Sequence, residues 1–249
     1  MLENARCIVD LGFRDLGYTI VTADCGWSSV NRTATDQITW NPDLFPSGFP
    51  AMEEYFHNLG LKFGVYSGGG IWECDTQNGA THLQASRGHE LIDAQTFAEW
   101  GADALKYDYC WATGIFVNYT PMPNTSLPYI TMADALNQVQ RSIIFFICEW
   151  GVGWNVGGWA SQLGDSWRIS NDIQDNWASI WRIANEAVPY VEHTGVGKYA
   201  DLDMLIVGLK ALNDIEVKFH FGFWAINKSH HWNTNEYKHH SEFFFRTPV

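Results

Sequence analysis

Apolar residues fall along the chain in two alternating rhythms. Short, nearly continuous runs at 18–24 (YTIVTAD), 61–66 (LKFGVY), 103–108 (DALKYD), 143–148 (IIFFIC) and 166–170 (SWRIS) read as buried strands, with 189–194 (PYVEHT) a weaker sixth. Between them, segments near 2–15, 48–59, 91–100, 130–141, 174–187 and 211–226 carry helical spacing, clearest in Asp93-Ala-Gln-Thr-Phe-Ala-Glu-Trp100. The alternation predicts parallel βα units, either in an open doubly wound sheet or in a closed (β/α)8 barrel. In both architectures chemistry gathers at the C-terminal ends of the strands. Asp24, Asp108, Glu149 and Asp172 each fall at or just after such an end. A ring of carboxylates at successive strand ends favours a barrel mouth.

Composition narrows the function. With 249 residues, 46% of them hydrophobic, the chain can bury a large core. A formal charge of −13 opposes phosphate backbones and anionic membrane surfaces, which excludes nucleic acid and membrane as expected partners. No apolar run reaches the roughly 18 residues of a membrane helix. The 13 Trp, 10 Tyr and 15 Phe exceed what a plain core needs and suit a protein that stacks sugar rings. Nothing in the sequence indicates an oligomeric state.

The cysteines, Cys7, Cys25, Cys74, Cys110 and Cys148, show neither C-x-x-C pairs nor zinc spacing, and their odd number leaves at least one thiol unpaired. Asn-x-Ser/Thr sequences begin at Asn31, Asn118, Asn124 and Asn227, which points to a secreted glycoprotein. The N-terminal MLENARCIVDLGFRDLGY is amphipathic and charged, unlike a signal peptide, so an export signal is expected to belong to a longer precursor.

Three motifs are decoys. Gly151-Val-Gly153-Trp-Asn-Val156 imitates a dinucleotide fingerprint but ends in Val, leaving an open-sheet oxidoreductase a distant reading. Gly68-Gly69-Gly70 lacks the Lys-Ser/Thr of a phosphate loop and is expected to allow a tight turn. His230-His231 and His239-His240 lie in a polar tail without supporting carboxylate spacing, so a solvated tail is expected rather than a metal site.

Hydrolysis of a glycosidic bond with retention needs two carboxyl groups, one to attack the anomeric carbon and one to protonate the leaving oxygen. Asp108 suits the nucleophile. The strand period of two puts Lys106 on the same inward face, where its ammonium keeps a carboxylate ionised. A structural Lys-Asp ion pair is the alternative. Asp172 suits the acid, with a pKa raised by burial and by Asp108; its rival Asp175 falls in a helical first turn that stabilises the charged form. Asp172 reads equally well as the N-cap of that helix.

At these residues the chain resembles glycoside hydrolase family 27, which holds α-galactosidases and α-N-acetylgalactosaminidases, and is most similar to fungal members. The resemblance rests on Ile8-Val-Asp-Leu-Gly12, Thr22-Ala-Asp-Cys-Gly-Trp27, Phe45-Pro-Ser-Gly48, Gly60-Leu-Lys-Phe-Gly-Val-Tyr66, Leu105-Lys-Tyr-Asp-Tyr-Cys110, Cys148-Glu-Trp-Gly151, Ser166-Trp-Arg-Ile-Ser-Asn-Asp172 and Asp201-Leu-Asp-Met-Leu205. It implies a (β/α)8 barrel without metal or organic cofactor, acting on α-galactoside oligosaccharides or glycans. It assigns the nucleophile to Asp108 and the acid/base to Asp172. It further implies sugar contacts from Asp24 and Lys106 at C3, C4 and C6, from Glu149 and Arg168 around C2, an aromatic contact from Tyr66 beside the nucleophile, and Asp203 near the acid/base. Glu149 and Val152 would exclude an acetamido group at C2. By the same resemblance Cys74 and Cys110 form a disulfide.

The chain departs from that pattern in places. Ala23-Asp24 stands where many relatives carry two acidic residues. A first strand with a Gly-Trp-Asn-Ser-Trp-like segment is not found, and after Lys228-Ser229 the sequence diverges from the family's eighth strand. The expectation is an incomplete barrel over 1–229 lacking its first and eighth strands, followed by a divergent polar tail over 230–249, with Cys25 left as a free thiol. The rival functional reading is a catalytically inactive galactose-binding fragment of the same fold.

Overall fold

In the computed structural model, residues 1–74, 82–112, 125–153 and 155–227 are described. The elements follow the predicted alternation: α1 (Leu2–Asp10), β1 (Ile20–Thr22), α2 (Gly48–Asn58), β2 (Lys62–Gly68), α3 (Glu90–Glu99), β3 (Ala104–Asp108), α4 (Leu127–Leu136), β4 (Ile144–Cys148), α5 (Val156–Leu163), β5 (Ser166–Arg168), α6 (Trp177–Ala187), β6 (Tyr199–Asp201) and α7 (Asp214–Ile226). All the strands pair in parallel, in the order β1-β2-β3-β4-β5-β6.

That order decides between the two architectures. A doubly wound sheet reverses its strand order at a switch point, whereas here each strand pairs with its sequence neighbours throughout. Right-handed crossovers all taken in one direction put every helix on one face, and the sheet then curls about the other. The fold is therefore an incomplete (β/α)8-type barrel of which six strands are present among the described residues.

The sequence expectations fail in two places. Residues 189–194 form no strand; Val188–His193 is a 3-10 helix with Pro189 in its first turn, and the sixth strand is Tyr199–Asp201. Pro lacks the amide that an interior strand must donate and presets a helical φ, which outweighs the β-branched look of the segment. Conversely, α5 went unread because Gly157 and Gly158 lower helix propensity over its first turn. Elsewhere the boundaries move inward or toward a local signal. Pro128 starts α4 earlier than expected, and an Asn213/Glu216 capping box fixes the start of α7.

The aromatic surplus goes mostly into packing. Trp27 is buried and lies with its ring centroid 4.8 Å from Phe49 and 5.7 Å from Trp100, with Trp40 5.3 Å from Trp100. Phe49, on α2, also meets Phe63 of β2 at 5.2 Å, so the rings tie the helix to the sheet. Ring count was thus a poorer guide to sugar binding than to core size.

Candidate active site

Ladder register places the polar residues in two inward-facing rows. Tyr66 is the Cα partner of Lys106, and Ala23 N donates to Gly64 O at 2.9 Å, which carries Asp24 to the level of Tyr66. The next inward row holds Gly68, Asp108 and Cys148, followed by Arg168 and its partner Asp201. Since side chains alternate along a strand, both rows face the interior of the curved sheet at its C-terminal end. Tyr107, between the rows, points the other way and packs on Tyr129 and Phe145.

The Lys106 Nζ donates to Asp24 Oδ1 at 3.0 Å and Oδ2 at 2.8 Å, and its charge also acts on Asp108, where it favours the ionised carboxyl. Burial acts to raise the Asp24 carboxyl, but the ammonium outweighs it and holds the group below its ordinary value. Asp108 is 6% exposed and accepts from the Tyr109 amide at 2.8 Å. Here burial wins over the Lys106 charge, and the Asp108 carboxyl is pushed up. Tyr66 is fully buried beneath Lys106, whose Nζ lies 5.4 Å from the ring centroid, and its hydroxyl accepts from Cys74 N at 3.2 Å.

The Cys74–Cys110 disulfide is present, with Cα atoms 5.2 Å apart. Both sulfurs and an Asp108 carboxylate oxygen lie within 4.8 Å of one another; because the sulfurs are bonded together, the cluster is not a metal site. The glycine run feeds this arrangement by close approach and not by a positive φ. A Cβ on Gly70 would meet Cys110 O at 2.0 Å, and one on Gly69 would meet Pro128 at 2.6 Å. Cys7, Cys25 and Cys148 carry free thiols.

On the opposite wall, Arg168 is 4% exposed and gathers three carboxylates. It contacts Asp172 at 3.0 Å, Asp201 at 3.2 Å and Asp203 at 2.8 Å. Asp203 takes a left-handed backbone with φ 75°, and its carboxylate also accepts from Ile173 N and Met204 N, each at 2.7 Å. Asp172 is not the N-cap of α6. That role falls to Asn176, whose side chain accepts from Ser179 N, and Asp175 precedes the cap. Nor is Asp172 buried as expected: β5 ends at Arg168, the chain leaves the sheet, and the Asp172 side chain is 84% exposed over the guanidinium. Its charge still reaches Asp108, where it helps to raise the carboxyl.

Glu149 sits at the end of β4 and is fully buried. One carboxylate oxygen accepts from Gly153 N at 2.6 Å, while the other meets no hydrogen-bond donor among the described residues. Burial pushes its pKa up to about 7, against the backbone amide of Gly153 and the Thr125 hydroxyl.

Three further residues at the mouth were not singled out from sequence. Asp201 orients both Arg168 and the Asp203 amide, the latter at 2.9 Å. Glu73 is buried and accepts from Gly26 N at 2.7 Å. Cys148 is the register partner of Asp108. Asp201 and Cys148 could have been found from strand period alone, since each lies in an inward row; Glu73 is on a loop and carries no such signal. The histidine pairs and the 230–249 tail lie outside the described residues, as do the Asn118 and Asn124 sequons.

The chain resembles known proteins along most of its length. A family model described as alpha galactosidase A matches residues 1–242. Alpha-galactosidase D of Emericella nidulans is 47% identical over 232 residues, covering 91% of this chain and 35% of that protein. Probable alpha-galactosidase D of Neosartorya fischeri is 49% identical over 234 residues with the same coverage. Among solved structures, alpha-galactosidase I from Mortierella vinacea superposes with a TM-score of 0.84 at 35% identity, over 94% of this chain and 62% of that one. The Saccharomyces cerevisiae alpha-galactosidase with raffinose gives 0.83 at 33% identity, over 92% and 53%. The chain spans about a third of the length of the curated relatives it matches. With its parallel strands, its carboxylate-lined mouth and a family match over nearly all its residues, this chain belongs to the alpha galactosidase A family.

Proposed function

We propose that the chain is the catalytic portion, over 1–229, of a secreted retaining α-galactosidase that releases terminal α-galactose from oligosaccharides or glycans by double displacement. The observation that carries the reading is a mouth where Asp108 ends β3 and Arg168, at the end of β5, holds the Asp172 carboxylate at 3.0 Å, so that two carboxyl groups stand on different walls of one sheet end. In this reading Asp108 attacks the anomeric carbon while Asp172 protonates the departing oxygen; Asp172 then takes a proton from water, which hydrolyses the galactosyl ester. Arg168 and Asp203 hold Asp172 and its segment. Lys106 and Asp24 meet the hydroxyls at C3, C4 and C6, and the buried Glu149 accepts from the hydroxyl at C2.

The relatives' names support the substrate class, and the raffinose-bound neighbour suggests raffinose-type oligosaccharides as a first substrate to try. Support for secretion comes from the disulfide and from the exposed Asn31 of an Asn-Arg-Thr sequence. The test is hydrolysis of a nitrophenyl α-galactoside, with the first-formed anomer read by proton NMR. The α-anomer is expected, and β-galactose as first product would exclude the retaining assignment. A matched α-N-acetylgalactosaminide should react more slowly by several powers of ten, because its acetamido group would leave the Glu149 carboxylate without a hydroxyl donor. Comparable rates would show that the C2 site is misread.

A further inference from the structure

The segment that carries Asp172 is held from two sides. On the inner side Arg168 contacts the Asp172 carboxylate at 3.0 Å. On the outer side Arg182, one and a half turns into α6, reaches back to the same segment. Its Nη1 donates to Ser170 Oγ, and its Nη2 donates to Asn171 O at 3.2 Å and lies 3.5 Å from Asp172 O. Ser170 Oγ donates in turn to Asn171 O at 3.0 Å, and Glu186, one turn further along α6, fixes the guanidinium at 3.1 Å.

Backbone amides pin the segment at its ends. Ile169 N donates to Asp201 O at 3.1 Å, Ile173 N to Asp203 Oδ2 at 2.7 Å, and Gln174 N to Ser179 Oγ at 3.0 Å. Beside it lies an open pocket of about 570 Å³, lined by Ser170, Asn171, Arg182, Glu186, Trp150 and Tyr190 among others. Ile169 and Ser170 are buried, whereas Asn171 and Asp172 are exposed. The Asp172 side chain, 84% exposed, has no burial to fix it. Arg168 holds its carboxylate, and Arg182 holds the main chain that carries it, through the Ser170 hydroxyl and the carbonyls of Asn171 and Asp172.

We infer that Arg182 is a positioning residue for the general acid/base: it sets the Ser170–Asp172 segment so that the Asp172 carboxyl meets the leaving oxygen. The inference rests on the reading of Asp172 as acid/base. It gives a function to an arginine that touches neither substrate nor reacting atoms. Protonation matters most when the leaving group is a poor one, so loss of Arg182 acts on the substrates that need the acid.

The experiment compares Arg182→Gln, Arg182→Lys and Asp172→Asn in the intact chain. Amide hydrogen exchange is expected to quicken at 170–173 in Arg182→Gln while the amides of β2, β3 and β4 stay unchanged. In turnover, Arg182→Gln is expected to lower kcat on raffinose about 10- to 100-fold and on a dinitrophenyl α-galactoside by less than about 3-fold, with KM unaltered. Arg182→Lys, which keeps a cation opposite Glu186, recovers part of the loss and provides a folded variant if Arg182→Gln is unstable. Unchanged exchange at 170–173, or equal losses with both leaving groups, overturns the role of Arg182. If Asp172→Asn itself shows no dependence on the leaving group, the acid/base reading falls and takes this inference with it. If Asp172→Asn shows that dependence and Arg182→Gln does not, only the Arg182 role is lost.

Discussion

The Lys106 ammonium grips both carboxylate oxygens of Asp24, at 3.0 and 2.8 Å, reaching from β3 past β2 to the end of β1. Both side chains are mostly buried, at 14% and 15% exposure, so each is the other's chief compensation for leaving water. Asp24→Asn should leave a mostly buried cation with a neutral partner and destabilise the chain by about 3 kcal/mol. Adding Lys106→Met to Asp24→Asn should restore part of the loss, because the orphaned charge goes. Denaturant melts of the single and double variants measure this directly. If the double variant is as unstable as the sum of its parts, the two residues do not act as a pair.

The two carboxyl groups assigned to the displacement should separate by leaving group. Asp108→Asn removes the atom that bonds to the anomeric carbon, so it is expected to abolish turnover of every α-galactoside. Asp172→Asn should lose about 10²- to 10⁴-fold on raffinose yet keep formation of the galactosyl ester from a dinitrophenyl α-galactoside, seen as a burst. Equal residual activity of the two variants on both substrates removes the assignment.

Much of the site was legible because strand period and strand ends are local properties. Asp108 and Lys106 could be put on one face from Leu105-Lys-Tyr-Asp alone, and the structure bears out that face. Which carboxylate the ammonium grips was not legible, since Asp24 is 82 residues away and only the β1-β2-β3 register brings it near. The same holds for burial. Asp172 was expected inside, but where a strand stops is set by pairing with its neighbours, and β5 pairs only as far as Arg168. Arg182 shows the limit most clearly: in sequence it is one charge in an amphipathic helix, and its contacts with Ser170 and Asn171 arise from how α6 packs back over the mouth. The Cys74–Cys110 pairing is implied by family resemblance, and the structure contains it.

The disulfide should matter to activity as well as stability. It closes a loop with a sequence separation of 36, for which the chain-entropy model gives about 4 kcal/mol. Its sulfurs sit against the Asp108 carboxylate, and the Cys74 amide donates to the Tyr66 hydroxyl. Cys74→Ser/Cys110→Ser is therefore expected to melt earlier and also, at temperatures where it is still folded, to turn over more slowly. Circular dichroism and initial rates on the same samples distinguish the two effects. Full activity of a folded double variant would show that the bridge is only a staple.

The last prediction concerns Glu149, whose carboxyl is pushed up to about 7 by burial. A carboxyl in an unfolded chain titrates near 4.5, so between these values the folded chain holds a proton that the unfolded chain has lost. Folding then takes up a proton, and stability falls as pH rises through that window. Below about 4.5 both states are protonated and the penalty vanishes; above about 7 both are ionised and the penalty is complete. Glu149→Gln keeps the shape and the Gly153 contact region without a charge to bury. Its stability relative to the parent should therefore rise by about 3 kcal/mol between pH 4.5 and pH 8, and level off outside that range. Urea melts of both proteins at several pH values give the difference curve. Galactose binding should shift the parent's transition to lower pH, because a hydroxyl donating to the free carboxylate oxygen favours the charged form. A difference curve that is flat from pH 4.5 to 8 would show that the buried carboxyl is not protonated in this window, and with it the account of Glu149 as an acceptor waiting for the C2 hydroxyl would fail.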